Sequence, residues 1–377
     1  MPGAQYLSFG FTCDQPELER ALSLVARAVG RVEPGRVALA GVLIDACGDR
    51  ATITASDLVV SISTSVRIRE ADGGIVLLPG RLLHAIVSVL DAAPVTIAVE
   101  GGHAHISAGT SEFRIRTMRH EDYPESPHGE PWDYESDVAC DGVALTGSLA
   151  RVLRSTSRDP NKPVLSGVLM EADGDALKLV STDTYRLAVC CVKGHSDLLG
   201  GRSRVILPAA AAAAFRRLFG SAEMVRVRMA QRFVQVEGDD RLLTGRLVAG
   251  QYPDYAAVVP NSAVPVATAL RVRLALGLRR VRLLTLDEAL VTLSLSRGTL
   301  GLEACNSEIG SASDAMPAAY AGARAEGAFH PEHLSDGVEV TPGESVDLAF
   351  HGPRGPCVMR SGEDDGFLYL LMPQAVG

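Results

Sequence analysis

Gly41–Asp57 reads GVLIDACGDRATITASD and Gly167–Asp183 reads GVLMEADGDALKLVSTD, and the two align without a gap. The copies start 126 residues apart (167 − 41). Gly-Val-Leu opens each copy, Gly48-Asp49 matches Gly174-Asp175, and Ser56-Asp57 matches Thr182-Asp183. A period of this length exceeds that of solenoid repeats and equals an ordinary domain. A chain of 377 residues holds about three such units. The divisions expected are 1–125, 126–255 and 256–377.

Outward from the repeat, the first unit alternates helical and β-rich segments. Gln15–Val29 carries Leu18, Leu22, Val25, Ala26 and Val29 at helical spacing, with Asp14 as the expected cap. Extended runs follow at Val37–Ile44, Ala51–Ile53, Leu58–Ile68 and Ile75–Leu78. Pro79 opens a helix over Gly80–Leu90, and strands at Val95–Val99, Ala104–Ser107 and Phe113–Thr117 close the unit. Tyr123–Asp137, acidic and proline-rich, reads as a linker.

The second unit repeats the order: a helix over Ala144–Ser157, strands from Val164 to Val192, a helix over Ala209–Phe219 after Pro208, then strands to Val248. Pro79/Pro208 and Pro124/Pro253 are each 129 apart (208 − 79, 253 − 124), so the likeness outruns the opening match. Gly250–Pro265 is the second linker. In the third unit, Leu270–Leu278 is followed by strands at Arg280–Leu286, Ala289–Ser296 and Thr299–Ala304, a short helix near Pro331–Val338, and strands to Met372. Ser311–Ala328 is too rich in small residues to place.

Composition bounds the function. The chain is 47% hydrophobic and 21% charged, ordinary for a globular protein with proper cores. No run approaches ~18 apolar residues, so no transmembrane helix is expected, and Met1–Phe11 has no signal-peptide pattern. Seven cysteines, odd in number and without a CxxC pair, fit a reducing cytoplasm better than a disulfide framework. A net charge of −9 argues against a nucleic-acid partner until its distribution is considered. Arg20, Arg27 and Arg31 share one side of the first helix, and Arg151, Arg154 and Arg158 stand at i, i+3 and i+7 on its second-unit counterpart. Arg81 starts the next helix, and Arg216-Arg217 come late in its counterpart. One stripe alone reads as a solvated helix face. Equivalent stripes on equivalent helices point to a shared basic lining.

Three further motifs carry a family resemblance: Leu179–Val189 (LVSTDTYRLAV), Thr244–Pro260 (TGRLVAGQYPDYAAVVP) and Tyr369–Pro373 (YLLMP). Ile53–Leu58 (ITASDL) and Thr117–Pro124 (TMRHEDYP) are the first unit's versions. In this order and at these separations, the motifs resemble the bacterial DNA polymerase sliding clamp, the β subunit of the replicative polymerase. The resemblance implies an α+β fold of three repeated clamp domains, each with two inner helices against antiparallel sheets. It also implies a head-to-tail homodimer, closing a six-domain ring around duplex DNA.

Such a ring must attract phosphates without reading bases, and diffuse cation contacts do so. Besides the arginines above, the resemblance places Lys162, in the loop from Arg158, near DNA. Ala209–Ala214 departs from the family, which is usually basic there. Partner peptides are implied to enter a groove lined by Leu165, Thr182, Tyr185, Arg186, Leu187, Pro253, Val258, Leu370, Met372 and Pro373. Departures gather at that groove. His330 and His333 in FHPEHLSD replace the family's Asn and Tyr, Thr184 replaces a frequent Gly or Arg, and Gln374 follows the Met-Pro pair. The implied dimer edge sets Phe113 and Ile115 against Leu276 and Leu278.

Implied partners are double-stranded DNA, the replicative polymerase, an ATP-driven loader, repair polymerases and ligase through short motifs, and a second copy of the chain, without a membrane. No phosphate loop or nucleophile elbow occurs. The pairs His103/His105 and His330/His333 each lack a third ligand, so neither cofactor nor metal is expected. Asp57 and Asp183 recur at equivalent turns, which fits a structural cap and not a catalytic pair. Three readings compete: a processivity clamp; a diverged paralogue that acts as a resistant or sequestering copy against clamp-binding cyclic peptide antibiotics; and an enzyme, which has no supporting constellation.

Overall fold

The computed structural model describes residues 9–124, 133–285, 290–352, 354–364 and 366–374. Six α-helices appear among them: α1 (Gln15–Val25), α2 (Gly80–Ser88), α3 (Gly142–Leu153), α4 (Ala209–Phe219), α5 (Arg271–Val281) and α6 (Pro331–Val340). They divide two to each third of the chain, each pair set among antiparallel strands, as the repeat predicts.

The chain forms two compact units, 1–143 with 214–247, and 144–213 with 248–377. In unit 1 a five-stranded sheet runs Arg69–Asp72, Phe9–Asp14, Pro94–Glu100, His103–Ala108, Ser111–Arg116. Its eight-stranded sheet runs Tyr134–Asp141, Met224–Ala230, Phe233–Gly238, Arg241–Arg246, Val60–Arg67, Arg50–Ser56, Gly41–Cys47, Gly74–Pro79. Arg241–Arg246 pairs with Val60–Arg67, so first- and second-repeat strands share one sheet. In unit 2 an eight-stranded sheet runs Arg204–Pro208, Gly167–Asp173, Ala176–Thr182, Arg186–Val192, Phe367–Leu371, Cys357–Arg360, Ser345–Phe350, Val266–Leu270. There the second repeat joins the third, through Arg186–Val192 against Phe367–Leu371. The remaining sheet is Gly310–Pro317, Thr299–Asn306, Val291–Ser296, Ala325–Phe329.

The quoted repeat folds as the same hairpin twice. Gly41–Cys47 pairs with Arg50–Ser56, and Gly167–Asp173 with Ala176–Thr182. Gly48 (φ 61°) and Gly174 (φ 63°) open the two-residue loops in the left-handed region, where glycine carries no Cβ penalty. Gly41 and Gly167 are fixed by space instead. A Cβ on Gly41 would lie 2.6 Å from a Leu77 methyl, and one on Gly167 2.6 Å from an Ile206 methyl and 2.8 Å from the Leu207 carbonyl.

Several expectations need correction. Val37–Ala40 is a 3-10 turn, and the strand starts only at Gly41; adjacent Ala38 and Leu39 are both buried, which an alternating strand face does not allow. Asp14 makes no side-chain cap, because its carboxylate takes Arg69 at 2.6 Å. Residues 134–137, expected in a linker, begin the strand Tyr134–Asp141; 125–132 lie outside the described residues. The strand expected at Arg280–Leu286 is instead the end of α5 and a 3-10 turn, Arg282–Leu284, with Leu286 outside the described residues. Leu274, Leu278 and Val281 continue a helical spacing there that hydrophobicity alone concealed. Ser311–Ala328 resolves into most of Gly310–Pro317 and Ala325–Phe329. No helix among the described residues is long and apolar enough to cross a membrane.

Candidate functional site

A turn built twice organises the site. Asp183 Oδ1 accepts the backbone N–H groups of Tyr185 and Arg186, both at 3.0 Å, and Thr182 Oγ1 accepts that of Thr184 at 3.1 Å. Asp57 Oδ1 likewise accepts from Val59 and Val60 at 2.9 and 2.7 Å, and Ser56 Oγ from Leu58 at 3.2 Å. The carboxylate and hydroxyl hold Thr184 (φ 84°) and Leu58 (φ 73°) in a region that side chains disfavour. Both aspartates are therefore structural.

In unit 2 the turn borders a buried apolar cluster with exposed residues at its margin. The cluster includes Leu165, Leu169, Leu187, Ile206, Tyr252 and Leu370, with Met372, Val248 and Tyr255 packed half-buried against it. The rim is exposed: Tyr185 by 54% and Val258 by 55%, with Pro253 also exposed and Thr182 and Pro373 half-buried. The Met372 N–H donates to the Tyr185 carbonyl at 2.9 Å, which seats the C-terminal strand end against the turn. Of the residues expected to line the groove, Leu165, Leu187 and Leu370 belong to the buried cluster, and Tyr185, Pro253 and Val258 are exposed. Sequence reasoning missed Val164, Ile206, Val248 and Tyr255; the 129-residue pairing that flagged Pro253 also reaches Ile206, as the counterpart of Leu77.

Arg186 is not a free donor. Its side chain is 10% exposed and its guanidinium binds Asp183 Oδ2 at 2.8 Å and Asp336 Oδ2 at 2.6 Å. Burial disfavours its charge, but Tyr369, Asp336 and Asp183 outweigh that and hold its pKa above the ordinary arginine value. The strand start, the turn and α6 are thereby locked together. Against this cluster the His330 and His333 rings lie 4.4 Å apart, and His333 Nε2 is 3.8 Å from Asp183 Oδ2. Burial, then Arg186 and His330, push the His333 pKa down to about 4, against the pull of Asp183 and Asp336. His333 is therefore neutral near pH 7. Among the described residues no group of three or more His, Cys, Asp or Glu could hold a metal ion.

The expected DNA-facing cations behave differently in the two units. In unit 1, Arg20, Arg27, Arg31 and Arg81 are all exposed. Arg217 reaches the Leu24 carbonyl at 3.5 Å, and burial followed by the charge of Arg27 lowers its pKa, so two cations crowd together beside α1. In unit 2, Arg151 pairs with Asp364 at 2.7 Å, and Arg154 with Asp336 at 2.7 Å and Glu339 at 2.6 Å. Arg158 is exposed and Lys162 half-buried. The stripe at 151, 154 and 158 thus does not present three free cations, because carboxylates remote in sequence neutralise two. On α5, Arg273 and Arg279 are exposed cations that sequence reasoning passed over, their RVRLALGLRR context showing alternation but no partner helix.

Phe113 and Ile115 are half-buried on Ser111–Arg116, an edge strand of the five-stranded sheet. Leu276 is 43% exposed, but Leu278 is 1% exposed. Helical spacing sets Leu278 with Leu274 and Val281 on the core face of α5, so it offers nothing to a partner. Val272, one turn before Leu276 and 60% exposed, shares the outward face.

Comparison with known proteins gives a consistent result. Profiles for the N-terminal, central and C-terminal domains of the DNA polymerase III beta subunit match residues 9–127, 142–254 and 257–375. The beta sliding clamp of Synechococcus elongatus is 30% identical over 370 residues, covering 96% of this chain and 98% of that one. The beta sliding clamp homolog GriR of Streptomyces muensis is 26% identical over 374 residues, covering 96% and 98%. The solved structure of a sliding clamp from Bartonella birtlesii bound to griselimycin superposes with a TM-score of 0.89 at 26% identity, covering 98% and 100%.

Proposed function

The chain belongs to the DNA polymerase III beta subunit family, and on that premise we propose that it is a non-catalytic processivity clamp. Two copies join head to tail, the six domains close a ring around duplex DNA, and partner proteins are tethered through the groove beside the Asp183 turn. The observation carrying this reading is the pattern beside the turn: a buried apolar cluster, exposed Tyr185 and Val258 at its margin and a turn fixed by hydrogen bonds, which suit an extended peptide with apolar anchors. Met372 adds an adaptable wall for a site shared by several partners.

DNA is held by counterion release through exposed arginines such as Arg20, Arg27, Arg31, Arg81 and Arg158, with no base readout. Phe113 and Ile115 meet the Val272–Leu276 face of α5 of a second copy. Opening a closed ring needs an external ATP-driven loader, and repair polymerases and ligase dock by the same kind of motif as the replicative polymerase. The test is loading onto nicked circular plasmid by a cognate loader. Protein retained on the circle and released when the plasmid is cut supports the ring; no retention overturns it.

A second reading has its own support. The likeness to GriR, and the His330–His333 pair at the groove, favour a diverged copy that withstands clamp-binding cyclic peptides. Titrating griselimycin against this protein and against its host's main clamp decides the matter. Markedly weaker binding here supports the resistant copy, and equal affinities count against it.

A further inference from the structure

The groove-side construction of unit 2 is present a second time in unit 1. The Arg246 N–H donates to the Val59 carbonyl at 2.9 Å, the counterpart of Met372 to Tyr185 at the same distance. Beneath lies a buried cluster of Ala38, Leu77 and Tyr123 with Leu43 and Met118 packed half-buried against it. Ala38 and Leu43 are the 126-residue counterparts of Val164 and Leu169, and Leu77 and Tyr123 the 129-residue counterparts of Ile206 and Tyr252. Above it the turn exposes Leu58 by 39% and Val59 by 43%. An aliphatic side chain held out at a left-handed turn tip is disfavoured twice, by backbone strain and by hydration.

The two surfaces differ in one respect that selects a ligand. Where unit 2 places Met372, unit 1 places Arg246, exposed and without an ion-pair partner among the described residues. We propose that this face of unit 1 is a second docking site, for an extended segment of a partner protein carrying aliphatic or aromatic anchors beside a carboxylate. The anchors lie against Leu58, Val59 and Met118, and the carboxylate pairs with Arg246. The inference rests on the reading that the equivalent face of unit 2 takes a peptide. It adds a second, acid-selective site per chain, so one clamp could hold two partners of different sequence preference.

The test uses the full-length protein and a fluorescein-labelled Ser-Leu-Asp-Phe-Gly peptide, followed by anisotropy and calorimetric stoichiometry. Two sites per chain are expected. Val59→Glu removes one, Tyr185→Glu removes the other, and both positions are exposed enough to leave the fold intact. Arg246→Gln weakens the unit 1 site about two- to fivefold, the scale of one exposed charge pair, and a Ser-Leu-Lys-Phe-Gly peptide occupies only the unit 2 site. One site per chain, lost with Tyr185→Glu and untouched by Val59→Glu, overturns this inference and leaves the unit 2 reading standing. One site lost only with Val59→Glu upholds the inference and overturns the unit 2 reading. No binding overturns both.

Discussion

Arg186 and Asp336, 150 residues apart in the chain, meet at 2.6 Å. That ion pair ties a left-handed turn to the middle of α6, and with it the exposed Tyr185 side of the turn to a rigid element. A half-buried charge pair stabilises little by itself, but leaving one partner behind is costly.

Asp336→Asn therefore destabilises the protein by about 1–3 kcal/mol, because a buried guanidinium loses one of two carboxylates while Asp183 remains. Arg154 keeps Glu339, so the loss is confined to the turn. The urea midpoint measures it. An unchanged midpoint would mean that the turn holds without α6.

His333 makes stability depend on pH in a definite direction. Its folded pKa of about 4 lies below the ordinary 6.5, so the unfolded chain binds the proton more readily. Its contribution is fully present above pH 6.5 and lost as pH falls toward 4, on the order of 2–3 kcal/mol across the window. His333→Gln flattens this part of the profile. An NMR titration of the His333 ring near 6.5 in the folded protein would refute the account.

The repeat was legible because it is written in residues that geometry leaves no choice about: glycines where Cβ has no room, and Ser/Thr-Asp pairs that close a turn. The buried cluster beside the Asp183 turn was partly legible for the same reason, since strand ends follow the repeat. What composition could not convey is which charges find each other. Arg151 and Arg154 read as free cations because Asp364, Asp336 and Glu339 are more than 180 residues away in sequence. Leu278 was set at the interface by resemblance alone, and the strand expected from Arg280 hid the helical face it shares with Val281. The small-residue run at 311–328 failed for lack of any alternation between large apolar and polar side chains.

The two kinds of glycine separate cleanly by substitution. Gly174→Ala meets open space and costs about 1 kcal/mol through its left-handed backbone. Gly167→Ala meets the Leu207 carbonyl at 2.8 Å and costs more, about 2–4 kcal/mol, since a strand must shift. Equal melting temperatures for the two variants would contradict the packing argument.

Thiol reactivity should divide the seven cysteines. Cys47 and Cys305 are exposed, whereas Cys13 and Cys357 are buried. Burial pushes the thiols of Cys13 and Cys357 up to about 12, assisted at Cys13 by Asp14 and Glu17. A colorimetric disulfide reagent at pH 8 labels Cys47 and Cys305 first and reaches Cys13 and Cys357 only on unfolding. Rapid labelling of Cys357 in the folded protein would count against this core.

DNA binding offers the sharpest contrast between cations that looked alike in sequence. Arg27 is exposed and crowded by Arg217, so a phosphate between them relieves like-charge repulsion as well as releasing counterions. Arg151 must first leave Asp364, and that exchange of one ion pair for another yields little. Arg27→Ala should lower the magnitude of the slope of log affinity against log salt by about one unit, as expected for one lost phosphate contact. Arg151→Ala should change it by much less. Binding of the purified protein to a short duplex, followed by anisotropy from about 50 to 200 mM salt, reads both slopes. If Arg151→Ala produced the larger change, the carboxylate of Asp364 would have to yield to DNA on binding, and the cations of unit 2 would be the principal contact.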